Sequence, residues 1–174
     1  MTAPATQPLD PSKVRVFLFE ALNEVLEMLA YTVACDELPE EVLEVERCLT
    51  AQIAFSGDRE GRLAITVSHP LAFRIAASLT GLDQGALEER ADLLEDAVRE
   101  TANVAAGVFL RRVAVEGLEY RLGVPTIVAC PSRPRARESL GISLAADAIE
   151  GPIGVYLEIG SGTFPTSVEA EAPA

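Results

Sequence analysis

The sequence predicts an α+β domain in which a mainly antiparallel β-sheet is covered by three main helices, two of them long. Apolar residues recur at helical spacing over residues 11–29 and again over about 88–113. Strand-like segments bounded by Gly or Pro lie between and after these helices. The order of one helix, two strands, two helices and then further strands fits a sheet covered by helices.

The first long helix has a clear start signal. Asp10 is the expected N-cap, and Pro11 suits the first helical position because a proline there loses no hydrogen bond. The acidic segment 36–46 follows the helix and is interrupted by Pro39, so we expect it to be a solvated loop.

The remaining elements are bounded by turn residues. Residues 47–55 and 62–67 are expected to form a hairpin through a turn that contains Gly57 and Gly61. A second helix is predicted from Ser68-His69-Pro70 to a stop at Gly81, and a loop containing Gly85 leads to the third helix. The later strands are predicted at 120–129, 140–148 and 152–159.

The composition indicates one globular domain with an acidic surface. The chain has 174 residues, 49% of them hydrophobic, and a formal net charge of −13. This length suffices for one hydrophobic core, which we assign to residues 11–164, with flexible tails at 1–10 and 165–174. An acidic surface repels phosphate backbones and anionic lipids, so nucleic acid and membranes are poor candidates as partners.

The cysteines and the N-terminal residues suggest a location. Cys35, Cys48 and Cys130 are far apart and form no CxxC pair, so we expect buried free thiols in a reducing compartment. The sequence shows neither a basic leader followed by an apolar segment nor a long apolar run. We therefore expect a cytoplasmic protein.

The third helix carries four unusual residues on the face opposite its apolar one. Asp96, Glu100, Asn103 and Gly107, called the ridge below, follow each other at i, i+4, i+7 and i+11. A helical glycine costs about 1 kcal/mol relative to alanine, and asparagine is also unfavourable there. Apolar residues flank the ridge where a plain solvated face would carry Lys and Glu: Leu93, Val104 and Leu110. From these residues alone, an ordinary Ala-rich helix remains as good an explanation as a functional surface.

The spacing of the ridge, D-x3-E-x2-N-x3-G, resembles the signature of the CheC/CheX family of chemotaxis phosphatases, which dephosphorylate the response regulator CheY. Residues 71–83 are similar to that family's preceding helix. Residues 122–130 resemble the Pro-Thr strand that follows the motif helix in CheX-like domains. The order of elements agrees over about residues 11–160, so the resemblance covers most of the chain.

The resemblance implies a protein-aspartate phosphatase that acts on a phosphorylated CheY-like response regulator and terminates chemotaxis or two-component signalling. Asn103 would hold the attacking water, because a carboxamide offers both a donor and an acceptor. Glu100 would pair with a lysine of the regulator and fix the docking register. Gly107 would let the partner's backbone come close, and Asp96 would orient its neighbours or add a rim charge. No cofactor of its own is implied, since Mg²⁺ is expected on the regulator.

The first helix contains a second E-x2-N sequence, formed by Glu20 and Asn23. It departs from the family's two-site pattern, because Val16 stands where Asp or Ser is expected and Glu27 where Gly is expected. We therefore interpret Glu20 and Asn23 as ordinary helix residues. The resemblance then implies one site per chain, as in CheX-like members, and a homodimer.

Two other functions remain open from the sequence. The chain could be a non-catalytic CheX-like module that binds a receiver domain or a signalling partner. It could also be a structural component of a motility switch with the same fold. Asn103 favours the phosphatase, because docking alone does not require a residue that positions water.

Overall fold

The computed structural model describes residues 10–39, 43, 47–57, 59–113, 119–128 and 140–160. Cys130 and the expected tail residues 1–9 and 165–174 lie outside the described residues. Among the described residues, the helices lack the length and apolar character required to span a bilayer.

The helices begin and end at local signals in the sequence. They are α1 (Pro11–Ala30), α2 (His69–Thr80), the short α3 (Gln84–Glu88) and α4 (Ala91–Val113). At the start of α1, the backbone N–H of Ser12 donates to Asp10 Oδ1 at 3.0 Å, which confirms the predicted N-cap. At the end of α2, Gly81 adopts the left-handed conformation that glycine tolerates. The three main predicted helices are thus confirmed.

The strands form one antiparallel sheet. They are β1 (Ala34–Leu38), β2 (Cys48–Gly57), β3 (Glu60–Ser68), β4 (Tyr120–Leu122), β5 (Thr126–Val128), β6 (Leu140–Ala148) and β7 (Gly151–Gly160). Their order is β1-β6-β7-β3-β2-β4, and β5 also pairs with β2. The predicted α+β class with an antiparallel sheet is confirmed.

One face of the sheet packs against α1 and α4. Ile65 of β3 and Val155 of β7 are paired in register, and both point towards Leu18 and Leu22 of α1 and Ala105 of α4. All five residues are buried. Because side chains alternate along a strand, the same face of neighbouring strands forms a continuous apolar surface, and its burial is the main driving force for folding.

The acidic segment after α1 is partly a strand, so the prediction of a loop over 36–46 is wrong for its first three residues. They belong to β1, which pairs with β6 through a β-bulge and forms one edge of the described sheet. Arg15 of α1 donates to the Glu37 carboxylate and to the Ser143 carbonyl of β6, both at 2.6 Å. These two contacts fix the edge strand, although most of its side chains are exposed.

Two other elements also differ from the prediction. The expected loop around Gly85 is α3, where the Ala86 N–H donates to the Asp83 side chain at 2.9 Å. The strand expected at 120–129 is divided into β4 and β5, which both pair with β2. Pro125 has no N–H to donate to a strand ladder, which explains the interruption between them.

The cysteine prediction holds only in part. Cys35 and Cys48 form no disulfide within the described part of the chain. Cys48 is half-buried, but the expected burial of Cys35 is wrong, because it lies on β1, where the side chains face solvent.

A buried ion pair joins β3 and β7 on the sheet face opposite α1 and α4. Arg62 and Glu158 are direct register partners, and the Arg62 Nη2 and Glu158 Oε2 atoms are 2.7 Å apart. Arg62 Nε also donates to Glu158 Oε2 at 2.8 Å. Glu158 is fully buried, so its negative charge requires compensation, and Arg62 supplies a cation for it.

We expect Arg62→Met to lower the free energy of unfolding by about 3–5 kcal/mol, because it leaves the Glu158 carboxylate buried without its cation. The double variant Arg62→Met/Glu158→Met removes both charges and should recover most of that loss. Chemical denaturation of the three proteins measures the difference. Equal losses in the single and double variants would contradict this account.

Candidate functional site

The helix that carries the ridge is enclosed by several neighbours. α4 contacts α1, α2 and the strands β2 and β3. Its predicted apolar face is buried throughout: Leu94, Ala97, Val98, Thr101, Ala105, Val108 and Phe109. Leu110 was expected to flank the ridge, but it is also buried, since packing on more than one side widens the buried arc. Leu93 and Val104 are half-buried. Only a narrow arc of α4 remains open.

The ridge occupies this open arc. Asp96 and Glu100 are exposed, whereas Asn103 and Gly107 are half-buried. The four residues lie on one continuous helix, so their spacing places them on successive turns of a single surface. The structure therefore brings together all the predicted site residues of this helix.

Glu100 differs from every other charged residue of α4. Within the described residues, its carboxylate has no hydrogen-bond or ion-pair partner, whereas each of the other charged side chains of the helix has one. The paired residues are Asp92, Glu95, Asp96, Arg99, Arg111 and Arg112. An exposed carboxylate that the chain itself leaves unpaired is available to a cation from outside.

Asn103 and Gly107 are also unused by the fold. In the described parts of the chain, the Asn103 carboxamide makes no hydrogen bond, so its donor and its acceptor both remain available. A Cβ placed on Gly107 would meet no atom within 4 Å beyond its own helix. Internal packing therefore does not require a glycine at this position, although glycine weakens the helix.

Asp96 is the ridge residue that the fold does engage. Arg99 donates to the Asp96 carboxylate and, at 3.0 Å, to Glu95. The sequence did not single out Arg99, although its spacing from Glu95 is that of a helical ion pair. Asp96 is therefore partly neutralised by Arg99 and is less suited than Glu100 to binding a second cation.

The ridge can position small groups and carries no hydroxyl, thiol or imidazole group. A carboxamide and a carboxylate one turn apart can hold a water molecule and a cation side by side. The single histidine, His69, stacks edge-on against Phe73 of α2, with ring centroids 5.5 Å apart, and does not belong to the ridge. Nowhere among the residues that the structure describes do three acidic, His or Cys side chains cluster closely enough to share a metal ion.

The second E-x2-N sequence, on α1, is used internally. The Glu20 carboxylate lies 2.7 Å from Arg112 of α4. Asn23 Oδ1 accepts the backbone N–H of Ala34 at 2.8 Å, which joins α1 to the start of β1. The hydrogen bond from Arg112 is the largest effect that holds the pKa of the nearby Glu24 below its usual value. These contacts agree with the interpretation of Glu20 and Asn23 as structural residues.

A family model described as "Chemotaxis phosphatase CheX" matches residues 49–140, more than half of the chain. This range includes the whole ridge. No curated protein sequence matches the chain significantly.

Several solved structures share the fold. CheX from Vibrio vulnificus has a TM-score of 0.66 and 20% identity, covering 88% of this chain and 99% of its own. CheX from Desulfovibrio desulfuricans has a TM-score of 0.65 and 15% identity, covering 84% of this chain and 99% of its own. A complex of CheX with CheY, BeF3 and Mg²⁺ from Borrelia burgdorferi has a TM-score of 0.62 and 17% identity, covering 88% and 98%. At such identities the likeness establishes the fold alone.

The two E-x2-N asparagines should respond differently to replacement by alanine. Asn23→Ala removes the acceptor of the Ala34 N–H and should lower the free energy of unfolding by about 1–3 kcal/mol. Asn103→Ala breaks no described hydrogen bond, and alanine is the better helix former, so stability should be unchanged or slightly higher. Thermal or urea unfolding of both variants measures this. A larger loss of stability in Asn103→Ala than in Asn23→Ala would show that the Asn103 side chain stabilises the fold.

Proposed function

The chain belongs to the CheX family of chemotaxis phosphatases, and from this we propose that it hydrolyses the aspartyl phosphate of a CheY-like response regulator. The observation that carries the proposal is the pair formed by Glu100 and Asn103. Both are open to solvent on one helix surface, and neither has a partner in the described chain. Hydrolysis of this phosphate would terminate the regulator's signal.

Asn103 is the residue proposed to act on water. Phosphoryl transfer depends on an in-line nucleophile and on neutralised charge, so a phosphatase can act mainly by positioning. The Asn103 carboxamide can accept a hydrogen bond from a water molecule and donate one to the phosphoryl group. Holding the water in attack geometry converts a random encounter into an oriented one.

Glu100 is proposed to bind the regulator's lysine. Among the described residues, its carboxylate is the charged group of α4 that has no partner. A cationic group of the regulator would pair with it and neutralise its charge. One helical turn separates it from Asn103, so the same docking would bring the phosphoryl group to the water. Asp96 is proposed to support this contact by pairing with Arg99, so that Arg99 does not neutralise Glu100.

The regulator is proposed to bring the metal ion. The Borrelia structure is a complex of CheX with CheY, BeF3 and Mg²⁺, which supports a CheY-like partner for this chain. That this partner holds the ion is part of the proposal. This chain would then contribute the water-positioning amide and the docking carboxylate. The homodimer expected from the family remains a proposal, and sedimentation of the purified protein tests it.

A phosphate-release assay tests the catalytic roles. With a phosphorylated receiver domain as substrate, Asn103→Ala should lower the turnover rate roughly a hundredfold, because the attacking water is no longer oriented. Glu100→Gln should mainly raise the KM, since it removes the charge that holds the lysine. Asn23→Ala is the matched control and should retain the turnover rate. Binding without faster phosphate loss in the unsubstituted protein would instead indicate a non-catalytic receiver-binding module.

Gly107 should show opposite effects on stability and on activity. Gly107→Ala should raise the free energy of unfolding by about 1 kcal/mol, because the added methyl meets no described residue outside its own helix and alanine favours the helix. The same methyl should keep the partner away and reduce kcat/KM roughly tenfold, equivalent to about 1.4 kcal/mol. Denaturation and phosphate-release assays measure the two effects. A stabilised variant with full activity would show that no partner approaches Gly107.

A further inference from the structure

A groove lies beside the ridge and is not explained by hydrolysis. It has a volume of about 470 Å³ and opens between α2, the first turns of α4 and the segment that joins β4 to β5. Its walls are largely apolar, formed by Ala76, Leu79, Leu93, Ala97 and Pro125. This size is within the range of protein sites that bind small organic groups.

The groove is continuous with the ridge. Asp96 and Glu100 belong to the ridge and also line the groove. A protein that docks on Glu100 would therefore cover the groove entrance as well. No separate docking event is needed to fill it.

A large apolar side chain that lines the groove remains exposed. Leu79 is 46% exposed. A single exposed apolar residue is common on a protein surface. An exposed leucine that lines an apolar groove is more typical of a surface that a partner covers.

The charge at the entrance restricts what can bind. Arg99 also lines the groove, but its guanidinium is engaged by Glu95 and Asp96, whereas the Glu100 carboxylate has no partner in the described residues. These three carboxylates and one guanidinium leave an excess of negative charge. The entrance therefore attracts cationic groups and repels phosphate-bearing small molecules.

We propose that the groove binds an apolar side chain of the response regulator, carried by the same segment as the lysine that pairs with Glu100. This inference rests on the proposed function, because it takes its partner from there. Apolar walls with an acidic entrance complement an apolar residue next to a cation. Since the walls hold neither the water nor the phosphoryl group, the groove contributes to affinity and partner choice, whereas Asn103 governs turnover.

Replacing Leu79 tests the groove without disturbing the buried core. Binding is measured with a receiver domain loaded with beryllofluoride and Mg²⁺, which imitates the phosphorylated form without turnover. Leu79→Ser should weaken the Kd about tenfold to a hundredfold, as expected for an apolar side chain that loses its buried contact. Leu79→Met keeps the apolar volume and should restore most of the affinity. Met28→Ser is the matched control, because Met28 is 55% exposed on α1 outside the groove.

The outcomes separate this inference from the catalytic proposal. Weaker binding by Leu79→Ser, with normal turnover at saturating receiver, supports the groove. If Leu79→Ser weakens binding and the unsubstituted protein shows no phosphatase activity, the groove is supported and the catalytic proposal is refuted. Equal affinities of Leu79→Ser and Met28→Ser refute the groove and leave the catalytic proposal standing. If Leu79→Ser changes the oligomeric state but not the affinity for the receiver, the groove binds a second copy of the chain, and the inference is refuted.

Discussion

The enclosure of α4 by its neighbours is the constraint on which the rest of this structure depends. The helix packs on α1, on α2 and on the central strands, so its surface is buried over most of its circumference. What remains open is a narrow strip, and residues unfavourable to a helix, Asn103 and Gly107, lie within it. A helix held so firmly by tertiary contacts tolerates such residues, because packing and not intrinsic propensity provides most of its stability.

The same enclosure keeps the strip in a fixed geometry. The roles proposed for Glu100 and Asn103 require that the separation of the two side chains does not fluctuate, and a rigid helix maintains this better than a loop. Ion pairs engage charged residues at both ends of α4. Arg90 pairs with Asp92 near its start, and Arg112 pairs with Glu20 and Glu24 near its end. In the described part of the chain, the surface of α4 presents one unpaired carboxylate, that of Glu100, at one defined place, which would favour a single docking register.

How much the sequence could predict depended on whether the signal was local. Asp10 with Pro11 predicted the start of α1, and the helical period predicted the open face of α4, since each depends only on neighbouring residues. The burial of Leu110 was missed because it depends on packing from distant parts of the chain. β1 was missed because its exposed acidic residues show no alternation, and α3 because one turn is too short for a period to appear. The groove was not predicted, as its walls come from three separate segments.

The acidity of β1 has a consequence for the protein at high concentration. An edge strand presents unpaired backbone groups that can recruit a strand from another molecule and begin aggregation. In β1 the exposed Asp36 and Glu37 and the β-bulge oppose such pairing, because a second chain would have to bury like charges against a distorted edge. The acidic residues that made β1 difficult to predict from the sequence thus also disfavour strand pairing between the sheets of neighbouring molecules.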